Sequence, residues 1–429
     1  MDSIDQTNSI DINLLRRKFK TMRKIGFIVI LYVLFLSGTI QSLACTTFLI
    51  SGKYTADGKS LMYKNRDTDE MQNSLAYFTD GKYKYIGLVD GKKGWEKAVW
   101  GGYNETGFAI INTAAYNNNL GDTTKFKDQE GVVMKRALQT CRNLADFEKL
   151  LEAWPKPMGV DANFGVIDAY GGAAYYETGN RDFQKYDAND PAIAPNGLLI
   201  RTNHSMRADL TKGFGFCRFQ TAEGVLKQAA SDKQLSPQFL FNHLSRNLTH
   251  SLTKTDLWTE IPAKRDVPEF KFFIDYIPRV ITSSAILIVG AKDPQQADQA
   301  MMWTVLGFPL TSVAIPVWIA GGESLPKAVT MNNELQSPIC KVALKFKADC
   351  FPITYDRMNN YINLSAVINR EKTGYLQVLQ PIEADIFEKA AKMKNGPQTA
   401  QEIQSFYNWV DQYLEKSYQT QFGLELFNN

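Results

Sequence analysis

The sequence predicts an α+β domain built in layers, and three observations carry that reading. Strand-like runs follow one another at hairpin spacing, first over residues 46–116 and again further along. Helical periodicity is confined to separate blocks between and after them. Strands and helices do not alternate one for one, so βαβ units and a parallel sheet are not expected. The chain has 429 residues, enough for one large domain or two ordinary ones. Its 44% hydrophobic and 22% charged residues exclude a disordered chain and a multi-span membrane protein.

The elements follow in order. TTFLISG (46–52) reads as a strand, Ala56-Asp57-Gly58 as a turn and SLMYKNRD (60–67) as the returning strand. LAYFT, YKYIGLV, KAVWGGY and GFAIINTAAY come next, divided by Asp-Gly and Asn-Glu-Thr-Gly punctuation. Val132, Val133, Leu138, Leu144, Phe147 and Leu150 recur at near-helical spacing and predict one helix over 131–153. NFGVIDAY (163–170) and AAYYET (173–178) read as a hairpin closed at Gly171-Gly172, with GLLIRTN (197–203) as a further strand. Helices are predicted over 216–230 and 236–246, the second opened by Ser236-Pro237 as N-cap and first-turn proline. SSAILIVG (283–290), MMWTVLG (301–307) and SVAIPVW (312–318) complete the strands, and 381–393 and 398–418 the helices. No repeat or low-complexity tract occurs.

Residues 1–44 have the grammar of an export signal. Arg16, Arg17, Lys18, Lys20, Arg23 and Lys24 precede the apolar run Ile25 to Leu36, and Ser42-Leu43-Ala44 place small residues three and one positions before Cys45. The run is shorter than the roughly 20 residues of a spanning helix. Met22 would start a compact signal of ordinary design, which makes residues 1–21 an alternative, mis-assigned start. Two rivals stay open: an uncleaved anchor, and a lipoprotein signal that modifies Cys45. Removing the six basic and three acidic residues of 1–44 leaves 42 of each sign in 45–429. A body of zero formal charge offers no field for nucleic acid or an anionic membrane. With three histidines, and neither HExxH nor CxxC, metal catalysis is not expected. Export implies an oxidising compartment. Apart from Cys45 the cysteines are Cys141, Cys217, Cys340 and Cys350; the last two are near enough in sequence to bridge a short loop, and buried free thiols are the other reading.

Cleavage after Ala44 would make Cys45 the first residue of the mature chain. A free α-amino group has a pKa of about 8 and lies within reach of its own thiol, so it serves as the base without any histidine. Thiolate attack on an amide carbonyl then gives a thioester, which water or another amine resolves.

The residues that follow add a resemblance. Cys45-Thr46-Thr47-Phe48-Leu49-Ile50, Ala56-Asp57-Gly58 and Lys64-Asn65-Arg66-Asp67, in that order, resemble the opening of the N-terminal-nucleophile (Ntn) amidases. The choloylglycine hydrolase and acyl-CoA:6-aminopenicillanate acyltransferase group is nearest, with a related opening in dipeptidases of the same superfamily. The resemblance continues at Asn104 to Asn112, at Asn163-Phe164 through Asp168-Ala169, at Arg201-Thr202-Asn203-His204 and at Cys217-Arg218-Phe219, and so spans about 45–220.

The resemblance implies a four-layer αββα sandwich of antiparallel sheets between helices, over 45–429, with a helical C-terminal part from about 380. It implies Cys45 as nucleophile and Asp67 as the carboxylate that orients its α-amine. It implies Asn203 as a side-chain donor to the tetrahedral intermediate, Asn112 as the second such donor, and Arg218 as the arginine near the nucleophile. Lys64 stands where choloylglycine hydrolases have arginine; it lacks the planar fork, so a bidentate contact is lost and bile-salt specificity is not implied. Lys64 and Tyr116 are the candidate substrate contacts, and Asn117-Asn118-Asn119 read as a polar loop beside them. The expected protein is an exported, periplasmic or extracellular amidohydrolase that cleaves a linear C–N amide bond of a small molecule. It needs no cofactor or metal, and no membrane span remains after signal cleavage. A dipeptidase of the same fold and a noncatalytic lipoprotein with lipidated Cys45 are the alternatives.

Overall fold

Alternating residues of Thr46–Ile50 (β1) are pulled to opposite sides, and that pleat organises the molecule. On one side Phe48 stacks on Tyr63, 5.5 Å between ring centroids; on the other the Thr47 hydroxyl accepts from the Tyr175 hydroxyl at 2.7 Å. Tyr175 lies on a different sheet, so β1 is sandwiched between a second sheet and a helical layer. The structure is a computed structural model, and it describes residues 45–124, 128–354, 358–393 and 399–427. Residues 1–44, including the expected signal and its cleavage site, lie outside them.

The first sheet has six antiparallel strands. From one edge these are Leu198–Arg201 (β10), β1, Leu61–Asp67 (β2), Thr282–Val289 (β14), Met301–Leu306 (β15) and Ile315–Trp318 (β16). The second has seven in chain order, except that β1 and β2 lie in the first sheet: Asn73–Phe78 (β3), Tyr85–Asp90 (β4), Gly101–Asn104 (β5), Ala109–Ala114 (β6), Ala162–Ile167 (β7), Ala173–Thr178 (β8) and Phe183–Asp187 (β9). Two short ladders, Thr249–His250 (β11) with Thr255–Asp256 (β12) and Phe270–Phe272 (β13) with Tyr361–Asn363 (β17), stand apart from both main sheets. Leu49, Met62, Ile111, Ile167 and Ile288 are buried in the main core cluster with Tyr175. Tyr103 ties the sheets again: its hydroxyl donates to the Val317 carbonyl at 3.2 Å and accepts from the Ile319 N–H at 2.8 Å.

Helices cover both outer faces. Glu130–Thr140 (α1) and Leu144–Ala153 (α2) bury Val133, Met134, Leu138, Phe147 and Leu151 against Phe108, Ile110, Phe164 and Tyr176 of the second sheet. The first sheet is covered by Phe216–Ser231 (α3), by Pro237–Leu240 (α4) with the π turn that follows it, and by Pro338–Cys350 (α5). Beyond the short Leu364–Val367 (α6), Tyr375–Lys392 (α7) packs Phe387 against Trp303, tilted, with ring centroids 4.5 Å apart, and Ala400–Phe422 (α8) hydrogen-bonds Trp318 through Tyr407. The order helix, sheet, sheet, helix is the αββα sandwich. Among the described residues, no helix is long and apolar enough to cross a membrane.

The structure corrects several local expectations. The helix expected over 131–153 is two, because Asn143 adopts an extended conformation and caps α2 by accepting from the Asp146 N–H at 2.9 Å. The hairpin of β7 and β8 does not close on Gly171-Gly172 alone. Residues 168–172 form the turn, and the Asp168 carboxylate accepts from the Tyr170 and Gly172 N–H groups at 2.8 Å each and from the Leu144 N–H at 2.9 Å. A side chain that satisfies three backbone donors substitutes for a tight turn. In the KAVWGGY run Lys97 is the last residue of a 3₁₀ turn that starts at Trp95, and strand begins only at Gly101. Cys340 and Cys350 do not bracket a loop. They lie on one helix, ten residues apart, which is about 15 Å of axial rise and beyond disulfide reach. All five cysteines are free thiols.

Candidate active site

The register of the first sheet brings distant residues to Cys45. Thr47 pairs with Arg201 and Thr46 with Asn65, so continuing each ladder puts Cys45 beside Asn203 on one side and beside Arg66 and Asp67 on the other. The strand-to-strand return depends on the loop before Ser60. Gly58 there has φ of 76°, and a Cβ on Gly52 would meet the Gly58 carbonyl oxygen at 2.3 Å, so the Asp-Gly turn predicted from sequence is present and tight. The Cys45 thiol lies 3.9 Å from the backbone carbonyl of Asp67.

Arg218 holds the start of the chain from the other direction. It sits in the first turn of α3, whose N-cap Gly215 has φ of 84°. A Cβ on Gly215 would lie 2.3 Å from the Arg218 guanidinium, so conformation and space both require glycine there. The guanidinium donates to the Cys45 carbonyl at 2.7 Å, to the Thr46 hydroxyl at 3.0 Å and to the Asn203 carboxamide oxygen at 2.8 Å. Burial pulls its pKa down to about 10, and the neighbouring Arg279 adds to this, yet it stays a cation at neutral pH. The Asn203 nitrogen donates to the Ala114 carbonyl at 2.8 Å. With both ends of the carboxamide bonded, its plane is fixed.

Lys64 and Asn112 form the opposite wall. The buried Lys64 ammonium donates to the Asn112 carboxamide oxygen at 2.6 Å and to the Trp100 carbonyl at 2.7 Å. With its oxygen taken, Asn112 presents its NH2 as the remaining donor. The Asn112 side chain therefore faces the cavity that Cys45 lines. Burial lowers the Lys64 pKa to about 8, against the upward pull of the Cys45 thiol.

Asp67 is fully enclosed. Its carboxylate accepts from Arg279 Nε at 2.9 Å and from the Thr282 hydroxyl at 2.6 Å. Burial pushes the carboxyl up from its ordinary range, while the charges of Arg279 and Arg218 oppose the shift. Arg279 is the residue that sequence reasoning missed. It lies 212 positions from Asp67, in a stretch where the resemblance had faded, and only the pairing of β14 with β2 brings it in.

Cys45, Lys64, Asp67, Asn112, Trp100 and Tyr116 line one cavity of about 410 Å³; the buried Arg218 and Asn203 are not among its lining residues. Tyr116 meets the exposed Phe214 edge to face at 5.6 Å. The far wall is acidic. Burial raises the Glu130 pKa well above the usual range, reinforced by a hydrogen bond with Asp128, and burial pushes Asp161 up to about 7. Of the expected polar loop, Asn119 lines the cavity, while Asn117 is buried against the Ser205 backbone. His204 does not line this cavity: its ring stacks on Phe216 at 4.4 Å, and its Nδ1 lies 3.2 Å from the Phe214 carbonyl.

Residues 54–238 match the acyl-coenzyme A:6-aminopenicillanic acid acyl-transferase family, so the resemblance read from the motifs is shown over that stretch; Cys45 precedes it. No curated protein matches the chain. Among solved structures the chain is similar to an N-acylethanolamine-hydrolyzing acid amidase ortholog of Caenorhabditis elegans, with 15% identity and a TM-score of 0.39 over 60% of this chain and 99% of that one. It is also similar to a mutant of the conjugated bile acid hydrolase of Clostridium perfringens, with 10% identity and a TM-score of 0.40 over 64% and 92%. A third similarity is to penicillin V acylase of Agrobacterium tumefaciens, with 12% identity and a TM-score of 0.35 over 64% and 86%.

Proposed function

Taking the chain as an Ntn-type amidohydrolase or acyltransferase, we propose that it is an exported cysteine amidase that hydrolyses a linear amide through a thioester on Cys45. The observation that carries this reading is the convergence on Cys45 of buried polar side chains: Lys64, Asp67 and Asn112 line one cavity with it, and Arg218 bonds both the Cys45 carbonyl and Asn203. The mature chain starts at Cys45, and its α-amine takes the thiol proton. The thiolate attacks the amide carbonyl carbon. Asn203 and Asn112 each supply an amide N–H to the oxyanion, preorganised by Arg218 and Lys64. The C–N bond breaks as the leaving nitrogen takes the proton from the α-ammonium, which leaves the acyl group as a thioester. Water, deprotonated by the same amine, then attacks the thioester and releases the acid and the Cys45 thiol. Asp67, held by Arg279 and Thr282, orients the α-amine. Hydrolysis is preferred to acyl transfer because water is the ready acceptor outside the cytosol, and the signal-like segment before Cys45 supports export.

The test pairs two measurements. Intact mass of protein recovered from the producing cell should give a chain that begins with unmodified Cys45; a diacylglyceryl Cys45 would make it a lipoprotein instead. Turnover of N-acyl amino acids, bile-salt conjugates, penicillins and dipeptides should vanish in Cys45→Ala while the melting curve stays near wild type. A panel member still cleaved by Cys45→Ala would refute the nucleophile, and selective cleavage of dipeptides would identify a dipeptidase.

A further inference from the structure

The segment that carries Asn203 leaves the first sheet at β10 and is clamped by side chains of the second. Two cross-strand neighbours do this, Asn163 on β7 and Glu177 on β8, which stand opposite each other in the ladder. Asn163 donates to the His204 carbonyl at 3.0 Å and accepts from the Ser205 hydroxyl at 2.6 Å. Glu177 has no exposed surface. One carboxylate oxygen accepts from Arg201 Nε at 2.8 Å and from the Met206 N–H at 2.9 Å, and the other from the Arg207 N–H at 2.8 Å. Arg201 is itself set between the rings of Tyr175 and Tyr186, at 5.2 and 4.9 Å. The carboxylate thus bonds the chain on both sides of Asn203 and fixes where that side chain stands relative to Cys45. Its bonds go to Arg201, Met206 and Arg207, so it acts through the segment that carries Asn203.

We infer that Glu177 is a positioning residue for the oxyanion donor Asn203, an assignment that rests on the amidase reading above. A carboxylate receives three N–H donors without conflict. A carboxamide in its place has one oxygen and one NH2, so at least one of the three buried donors would face another donor. The segment then has to shift, and displacement of a preorganised group by about 1 Å costs on the order of 100-fold in rate.

The experiment combines kinetics and hydrogen exchange on the mature enzyme, with the best substrate of the panel. Glu177→Gln should lower kcat by about 100-fold with KM within about threefold, because the oxyanion exists only after attack. In an Asn203→Ala background the same substitution should lower kcat by less than about threefold further, since coupled sites are non-additive. Hydrogen exchange over 202–207 should accelerate while β8 stays protected. Glu177→Asp keeps the charge but shortens the reach; it repeats every readout if the Gln variant does not fold, and should give a smaller loss. Wild-type kcat in Glu177→Gln, or an equal fold loss with and without Asn203, would overturn the inference. Absence of any Cys45-dependent turnover would defeat the amidase reading instead. The exchange measurement would then still decide the structural half: unchanged exchange over 202–207 overturns it, and acceleration supports it.

Discussion

Lys64 illustrates how one substitution resets a site's pH behaviour. An arginine at that position would stay charged throughout the working range. The buried lysine has its pKa brought down to about 8, so it donates as an ammonium below that pH and loses its charge above it. The sign for stability is opposite to the sign for activity. Unfolded, the lysine keeps its ordinary pKa near 10.5, so between about 8 and 10.5 the unfolded chain binds more protons and the Lys64 contribution to stability rises with pH. Over the same interval the hold on the Asn112 oxygen weakens. We therefore expect kcat/KM to fall on a basic limb centred near pH 8, and Lys64→Arg to carry that limb to higher pH if the protein accommodates it. A pH–rate profile of both proteins checks this; a limb unmoved in Lys64→Arg assigns it to another group. Asn203→Ala should lower kcat by about 100- to 1,000-fold with little change in KM, as expected for a donor used mainly in the transition state. Single-turnover kinetics decides it, and an unchanged kcat would reduce Asn203 to a structural turn residue.

At the scale of elements, the helices on the outer face of the first sheet are joined by a buried ion pair. Arg246, at the end of the π turn after α4, forms a bidentate pair with Glu383 of α7 at 2.6 Å for both bonds, and Glu383 also accepts from the Ala314 N–H at 2.6 Å. Both side chains are almost wholly excluded from water. Arg246→Met would leave a buried carboxylate unpaired and should cost about 3–5 kcal/mol; Arg246→Met with Glu383→Leu should recover much of that loss. Denaturant melts of the two variants test it, and a single-variant loss below about 1 kcal/mol would mean that water reaches the pair. Helix boundaries are harder to read than helix existence. The α1 and α2 pattern runs on in phase across residues 141–143, and the break rests on one carboxamide, that of Asn143, turning back to the backbone. The α5 helix escapes a sequence reading because Ser337-Pro338, a start signal like Ser236-Pro237, precedes a run in which the two cysteines invite a loop.

At the scale of the whole molecule, the candidate site lies where the ends of strands β1, β2, β10 and β14 gather residues separated by up to 234 positions, from Cys45 to Arg279. Such a site tolerates little change in where the chain starts. Adding one residue before Cys45 converts the proposed base into an amide, which does not accept a proton, and should abolish turnover while the sandwich still folds. Activity and near-ultraviolet circular dichroism of a preparation with a defined extra residue test this together. Full activity with the extra residue retained would place the base elsewhere. His204 is then a poor substitute, since its Nδ1 is committed to the Phe214 and Thr202 side of the loop and its ring lies under Phe216.

The sequence by itself determined the layered α+β class, most strands of both sheets and the Asp-Gly return, because hydrophobic period and turn chemistry are local; Cys45, Asp67, Asn112, Asn203 and Arg218 it nominated through a resemblance of motifs that keep their order along the chain. Only the tertiary structure decided what those residues touch. Arg218 reads as a helix charge until the register of β1 and β10 places it on the Cys45 carbonyl. Asn112 reads as facing either side of a strand until Lys64 bonds its oxygen. Arg279 and Glu177 carry no signal of their own, for a lone arginine and a lone glutamate look like surface charges in sequence. They meet Asp67 and the segment after β10 because antiparallel pairing joins β14 to β2 and β8 to β7, and because a buried charge is retained only where it finds partners, which are set by contacts between residues far apart in the chain.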